Sequence, residues 1–313
     1  MGAYIVRRLL AMIPVVLGVM VFSFAMLHLS PGDPAITLAG ADAPPEAVEA
    51  IRTQLGLDRP LQVQFLTYVG QVMSGNLGQS LVSRKTVGQE IVRVFGPTLQ
   101  LVVAALTFAV TAALMLGVAS AVWRGTLLDR LTTVAGVLGL SLPIFWVGLM
   151  LIWWLSFQWS LFPISGWGGP IWTLKGLHYT ALPALTLGAT LIGPLARMTR
   201  ATLLEVLQQE YIRTARAKGL GEWRVIYLHA LRNAALPIVT VIGLQFGYLL
   251  GGAVVTETIF GWPGMGRTAV LGILSRDFPL VQGIVIAMAL SFVVVNLLVD
   301  VLYGVFDPRI RYA

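Results

Sequence analysis

Glu205-Val206-Leu207-Gln208-Gln209-Glu210-Tyr211-Ile212-Arg213-Thr214-Ala215-Arg216-Ala217-Lys218-Gly219-Leu220-Gly221-Glu222-Trp223-Arg224-Val225-Ile226-Tyr227-Leu228 is a charged island in an apolar chain. It lies between two runs free of Lys, Arg, Asp and Glu, Gly176–Ala196 and Asn233–Thr256. Each run has the roughly 20 apolar residues that a membrane-spanning helix needs. The island is therefore read as a folded segment joining two spans. Its first part, Glu205–Lys218, is rich in good helix formers and predicts one helix, which Gly219 ends. Gly221–Leu228 predicts a short second helix with Trp223, Ile226 and Tyr227 on one apolar face at i, i+3, i+4 spacing. A rigid helix outside the bilayer, reached through a glycine turn, suits insertion into a groove on a soluble partner. The alternative is an amphipathic helix lying on anionic lipid.

Outward from this segment, four further runs lack charge: Leu9–Gly32, Val94–Trp123, Leu131–Leu174 and Phe278–Val299. The long third run carries breakers in its second half, Phe162-Pro163-Ile164-Ser165-Gly166-Trp167-Gly168-Gly169-Pro170. It reads as a single span over about 132–155 followed by an aromatic interfacial loop. The fold class is thus an all-α polytopic membrane protein of six transmembrane helices. Composition agrees: of 313 residues 57% are hydrophobic and 11% charged, and the mean hydropathy is +0.82. A soluble domain carries about 25% charged residues, so a soluble enzyme is not expected, and a disordered chain is excluded. The run Leu9–Leu29 is long enough to span, and Leu29-Ser30-Pro31 is a poor cleavage site, so no removable signal is expected.

The net charge of +7 points to membrane topology rather than to nucleic acid. Seven of the 21 basic residues fall between Arg197 and Arg232. Placing both termini and this segment in the cytoplasm concentrates the positive charge there, as the positive-inside rule requires. Segment 30–93 then lies outside. It is too long and too well patterned for a plain loop. Pro44-Pro45-Glu46 opens a helix that Gly56 closes, Asp58-Arg59-Pro60 starts a second, and Thr86-Val87-Gly88-Gln89 has capping-box form and leads a third towards span two. This insert reads either as a helical cap over span ends or as a docking surface for an extracytoplasmic partner.

Chemistry of other kinds is missing. There is no Gly-x-x-x-x-Gly-Lys-Ser/Thr cradle, so the chain does not itself bind ATP through a P-loop. Zero cysteines and three scattered histidines, His28, His178 and His229, give no metal-site spacing. Gly139-Leu140-Ser141-Leu142-Pro143 fails as a nucleophile elbow. The apolar runs hold no acid of the kind a proton- or sodium-driven carrier buries; Glu257 and Asp300 sit at span ends, where a solvated or paired charge is expected. A catalytic residue, a metal and a cofactor are all expected to be absent from this chain. Breakers within spans, Pro143, Pro183, Pro194 and the Gly251-Gly252 pair, are candidate hinges or packing kinks.

The chain resembles a known family, the integral-membrane permeases of dipeptide, oligopeptide and nickel ABC importers. Glu210–Gly219 is similar to that subfamily's form of the EAA loop, which docks on the ATPase. The resemblance covers the whole chain, through Ile5-Val6-Arg7-Arg8-Leu9-Leu10, Pro31-Gly32-Asp33-Pro34, Leu55-Gly56-Leu57-Asp58-Arg59-Pro60 and Asn76-Leu77-Gly78-Gln79-Ser80. It continues in Ser141-Leu142-Pro143-Ile144-Phe145-Trp146, His229-Ala230-Leu231-Arg232-Asn233-Ala234 and Thr256-Glu257-Thr258-Ile259-Phe260-Gly261-Trp262-Pro263-Gly264. Asn296-Leu297-Leu298-Val299-Asp300 and Asp307-Pro308-Arg309-Ile310-Arg311 complete it. Where other permeases carry Glu-Ala-Ala, this chain has Arg213-Thr214-Ala215, so an acidic contact from position 213 is not expected.

The resemblance implies a type I importer permease in the bacterial cytoplasmic membrane. It implies pairing with a second, homologous permease in a heterodimer, with two ATPase subunits that bind ATP and Mg, and with an extracytoplasmic substrate-binding protein. The organisation expected is a first helix within 1–30, an insert at 31–93, a five-helix core at 94–304 holding the coupling loop 197–236, and a tail at 305–313. Coupling residues would be Arg213, Thr214, Ala215, Gly219, Glu222, Trp223, Arg224, Ile226 and Tyr227, while Glu257, Trp262, Pro263 and Gly264 would lie in an extracytoplasmic loop. The cargo implied is a short peptide, with glutathione or a nickel chelate as alternatives. A secondary carrier is the reading from a different class, and a membrane enzyme a distant third.

Overall fold

A computed structural model describes residues 2–29, 34–39, 43–54 and 56–306. Among them every regular element is helical, apart from an isolated bridge between Gln79 and Thr86. The helices are α1 (Gly2–Leu29), α2 (Pro34–Ala39), α3 (Pro45–Gln54), α4 (Leu61–Met73), α5 (Val87–Val122), α6 (Leu127–Ser141), α7 (Ile144–Leu151), α8 (Leu174–Leu207), α9 (Glu210–Ala217), α10 (Glu222–Arg224), α11 (Leu231–Ile259), α12 (Met265–Leu274) and α13 (Phe278–Phe306). A π-helical stretch, Ile152–Gln158, extends α7, and another, Val225–Ala230, joins α10 to α11.

Three described helices are each long and apolar enough to cross a membrane: α5, α8 and the part of α13 from Phe278 to Val299. Two bent pairs pass the same test together, and Leu10–Met26 forms a shorter apolar helix. Apolar side chains on these helices, Phe22, Val103, Met115, Val134, Leu244 and Leu298 among them, are exposed, as expected of a surface that faces lipid. Trp153, Trp154, Trp159, Trp167 and Trp172 form an exposed aromatic stretch after α7, the composition of a membrane–water interface.

The third apolar run departs from expectation. It is not one helix over 132–155. α6 stops at Ser141, Leu142 is extended (φ −83°, ψ 128°), and α7 restarts after Pro143 at 108° to α6. Proline disfavours the helical conformation at the residue before it, so Leu142 leaves the helix. Of the hinge candidates Pro143 thus marks a true break, whereas Pro183 and Pro194 lie inside the single helix α8 and Gly251-Gly252 inside α11. A second bend, of 53°, separates Glu222–Ala235 from Pro237–Gly251; Pro237 lacks the N–H that would bond back one turn.

The chain divides into two compact units. The larger, built on 97–263 with the chain beyond 294, packs α8 as its central column. Leu187, Leu191 and Leu195 on α8 bury against Leu101 and Ala105 of α5, Leu249 of α11, and Trp262. Small residues let these helices approach. A Cβ at Gly193 would lie 2.3 Å from the carbonyl oxygen of Gly136, so α6 and α8 cross backbone to backbone there. The smaller unit, 2–96 with 264–293, contains α2, α3 and α4; Val94, Met265, Leu280 and Ile284 form a core within it. Within it α3 is followed by a left-handed Gly56 (φ +67°), as the sequence predicted. The capping Thr86 accepts from the Gln89 N–H at 3.4 Å, and the helix it caps is not a separate third one but the start of the 36-residue α5.

Candidate functional site

The charged island folds as a bracket on the end of α8. Glu205–Lys218 is not one helix: α8 ends at Leu207, Gln209 turns extended (φ −71°, ψ 147°), and α9 begins at Glu210. Ile212 and Ala215 on α9 turn inward and bury with Leu203 of α8 and with Val225, Ile226 and Ala230. The segment is thereby held by an apolar core of its own, which fixes what its other face presents.

Gly219 sets the turn. Its φ is +77°, its N–H donates to the Arg216 carbonyl at 2.9 Å, and the Leu220 N–H reaches back to the Ala215 carbonyl at 3.4 Å. This pair of bonds is the glycine-capped helix end in which the residue after the cap takes the left-handed conformation. Across the turn Arg216 forks onto Glu222, Nε to Oε1 at 2.8 Å and Nη2 to Oε2 at 3.2 Å. Glu222, itself exposed, is thus paired within the bracket. Arg213 pairs with Glu210 at 2.9 Å on the exposed side of α9, where Thr214 is exposed too and Ala215 is not.

The anticipated apolar triplet separates. Ile226 is 9% exposed and belongs to the inner core, whereas Trp223 is 70% and Tyr227 42% exposed. The ring centroids of Trp223 and Tyr227 lie 3.9 Å apart. Sequence spacing alone put all three on one face. The three-residue helix α10 running into a π-turn rotates Ile226 inward and leaves a two-ring platform, with Leu228 exposed beside it and Arg224 on the same surface segment. An aromatic pair of this kind, on a rigid support and open to solvent, fits an interface anchor.

A buried carboxylate pins the helix that carries the bracket. Asp129, at the start of α6, accepts from Arg200 Nε at 2.7 Å and Nη2 at 2.9 Å, from the Gly125 N–H at 2.9 Å, and from the Ser120 hydroxyl. Asp129 and Arg200 both lie beyond the uncharged runs that read as spans. The Arg200 guanidinium foremost, then Gly125 and Ser120, hold the Asp129 carboxyl far below the usual carboxylate range, and Asp129 in turn raises Arg200. Nothing in the sequence spacing announced this cluster, since its side chains come from three helices.

Of the four residues expected in an extracytoplasmic loop, Trp262, Pro263 and Gly264 lie in the link between α11 and α12, and Glu257 does not. Glu257 lies in α11, is fully buried and accepts from the Thr98 hydroxyl at 2.6 Å. Trp262 is equally buried and donates its ring N–H to the Pro97 carbonyl at 2.9 Å. Pro263 is half-buried and Gly264 buried. Asp300, Asp307 and the tail fall outside the residues whose side chains are described.

Comparison with known proteins supplies the family. The family model described as binding-protein-dependent transport system inner membrane component matches residues 113–312, and the model of its N-terminal part matches residues 1–102. The chain belongs to this family. Among its relatives is the glutathione transport system permease protein GsiC of Salmonella typhimurium, 45% identical over 310 residues that cover 99% of each chain. The dipeptide transport system permease protein DppB of Escherichia coli K12 is 44% identical over 334 aligned positions, covering 99% of this chain and 98% of the relative. GsiC of Pectobacterium atrosepticum is 45% identical over 310 residues, again 99% of each. This inner membrane component is therefore a transporter subunit, all-helical and multi-pass, as its composition and resemblance implied.

Proposed function

We propose that this chain is one of two membrane-spanning permeases of an ATP-driven importer of short peptides. The names of its relatives, a dipeptide and a glutathione permease, support peptide-like cargo, and glutathione itself falls within that class. Six spans, α1, α5, the broken pair α6–α7, α8, α11 and α13, put both termini and the bracket in the cytoplasm and the insert outside. The partners are a second homologous permease, two ATPase subunits that bind ATP and Mg, and an extracytoplasmic substrate-binding protein. Trp223 and Tyr227 seat in a groove of the ATPase. ATP-driven closure of the ATPases moves the bracket, and because Ile212 and Val225 root it beside Leu203, α8 moves with it and the spans rock between inward and outward openings.

The observation that carries this reading is the exposed Trp223–Tyr227 pair on a segment whose opposite face is locked into the core. The test is uptake of a labelled dipeptide into vesicles holding the assembled transporter. Uptake that follows ATP and persists when the proton gradient is collapsed at constant ATP is expected; uptake driven by a gradient alone would favour a carrier.

A further inference from the structure

Within the smaller unit, the connection between α4 and α5 runs beside the start of α13 and borders an open cavity of about 540 Å³. That size suits a small organic ligand. Its polar wall is Tyr68 and Gln71 of α4, Asn76, Gln79, Ser80 and Arg84 of the connection, and Gln282 of α13, and no Asp or Glu lines it. Arg84 brings the wall its one charge.

The wall is built, not incidental. Arg84 has φ +60°, a conformation that side chains other than Gly and Asn seldom adopt. Its N–H donates to the Ser80 carbonyl at 3.1 Å, the Ser80 N–H donates to the Lys85 carbonyl at 2.9 Å, and the Ser83 N–H reaches Ser80 Oγ at 3.0 Å. Ser80 is itself bolted down. Its hydroxyl donates to Oδ2 of the buried Asp277 at 2.5 Å, and Asp277 also accepts from the Leu81, Val82 and Leu280 N–H groups. The connection is thus fixed to the start of α13, and a residue held against its backbone preference at a cavity mouth is the kind of outlier that accompanies function. The Arg84 guanidinium and the Gln71 and Gln79 amides make no hydrogen bond or ion pair among the described residues.

A lone guanidinium pairs best with a planar anion, two N–H groups to two oxygens. Side-chain amides donate and accept as peptide groups do, and a wall without acids offers an ammonium no ion-pair partner. We infer that this cavity binds the carboxylate end of a short peptide, with Arg84 on the terminal carboxylate, the glutamines on the adjoining amide, and Asp277 as the positioning residue. This rests on the peptide-import reading.

The test is equilibrium binding to the full-length chain in nanodiscs of neutral lipid. Ala-Ala and N-acetyl-Ala-Ala should bind saturably, and the C-terminal amide of Ala-Ala at least about ten-fold more weakly. Arg84→Gln should remove that difference. Arg84→Gly relieves the left-handed backbone, so it should lose binding while its melting temperature stays at or above the parent's, which separates lost recognition from lost folding. Arg84→Lys should retain part of the affinity. Equal binding of acid and amide, undiminished binding by Arg84→Gly, or equally strong displacement by inorganic phosphate or by phosphatidylglycerol in the disc would each overturn the assignment. Labelled-peptide uptake by the assembled transporter is measured alongside. Uptake without binding to this chain would remove the cavity and leave the import reading intact. Arg84-dependent binding without uptake would remove the import reading and uphold the carboxylate site.

Discussion

Arg200 of α8 holds Asp129 of α6 in a two-pronged ion pair, with N···O distances of 2.7 and 2.9 Å. The two residues are 71 positions apart, and with Ser120 they tie three helices together, one of them the helix that carries the bracket. Because Arg200 and its neighbours lower the Asp129 pKa, the stability this carboxylate contributes is fully present above its unfolded value of about 3.9. It is lost only as pH falls from there towards the depressed folded value. Thermal unfolding should therefore be insensitive to Asp129 between about pH 6 and 8, and Asp129→Asn should flatten the acid limb of the profile. Arg200→Ala leaves a buried carboxylate unpaired and should lower the melting temperature by roughly 2–4 °C or more, Arg200→Lys by less. An unchanged melting temperature in Arg200→Ala would show that the pair is ornamental.

The turn at Gly219 makes a sharper prediction. At φ +77° with nothing within 4 Å of a would-be Cβ, substitution meets no steric clash and only backbone strain, about 1–2 kcal/mol for a β-branched residue. Gly219→Val should leave membrane insertion intact while lowering peptide uptake and ATP hydrolysis together; Gly219→Asn should be milder, since Asn tolerates the left-handed region. The neighbouring Arg216–Glu222 pair is exposed, so Glu222→Gln should cost little and its effect should fade with salt. Uptake and hydrolysis that part company in Gly219→Val would contradict the coupling role given to the turn.

Topology is open to labelling. Single cysteines at Ser83 in the insert and at Lys218 in the bracket, both exposed positions, should react oppositely with an impermeant thiol reagent added outside. Ser83→Cys should label and Lys218→Cys should not until the membrane is opened. Labelling of both from outside would contradict the six-span arrangement.

What the sequence revealed was set by local physics. Apolar runs of helical length announce α5, α8 and α13, because a span must satisfy its backbone internally and its surface must be apolar. Gly56 and Gly219 could be read because glycine so often occupies the left-handed position at a helix end. What stayed hidden depends on groups far apart in the chain. Ser80 meets Asp277 across 197 positions and Thr98 meets Glu257 across 159, so a buried acid looked like a loop acid. Ile226 shares its spacing with Trp223 and Tyr227, and only the π-turn beginning at Val225 takes it to the inner face. Leu142-Pro143 did carry a signal, the restricted residue before proline, but an unbroken apolar run outweighed it.

The most direct measurement is the amount of ATPase recovered with the permease when Trp223 is replaced. If Trp223 and Tyr227 anchor the ATPase, Trp223→Ala removes about 2 kcal/mol or more of interface energy, which is roughly 30-fold in affinity. ATPase per permease should fall steeply at fixed concentration, while Ile226→Val, on the inner face, should leave it unchanged. If the segment instead lies on lipid, Trp223→Ala would loosen membrane contact and recover as much ATPase as the parent. Undiminished recovery together with normal peptide uptake would contradict the account at its centre.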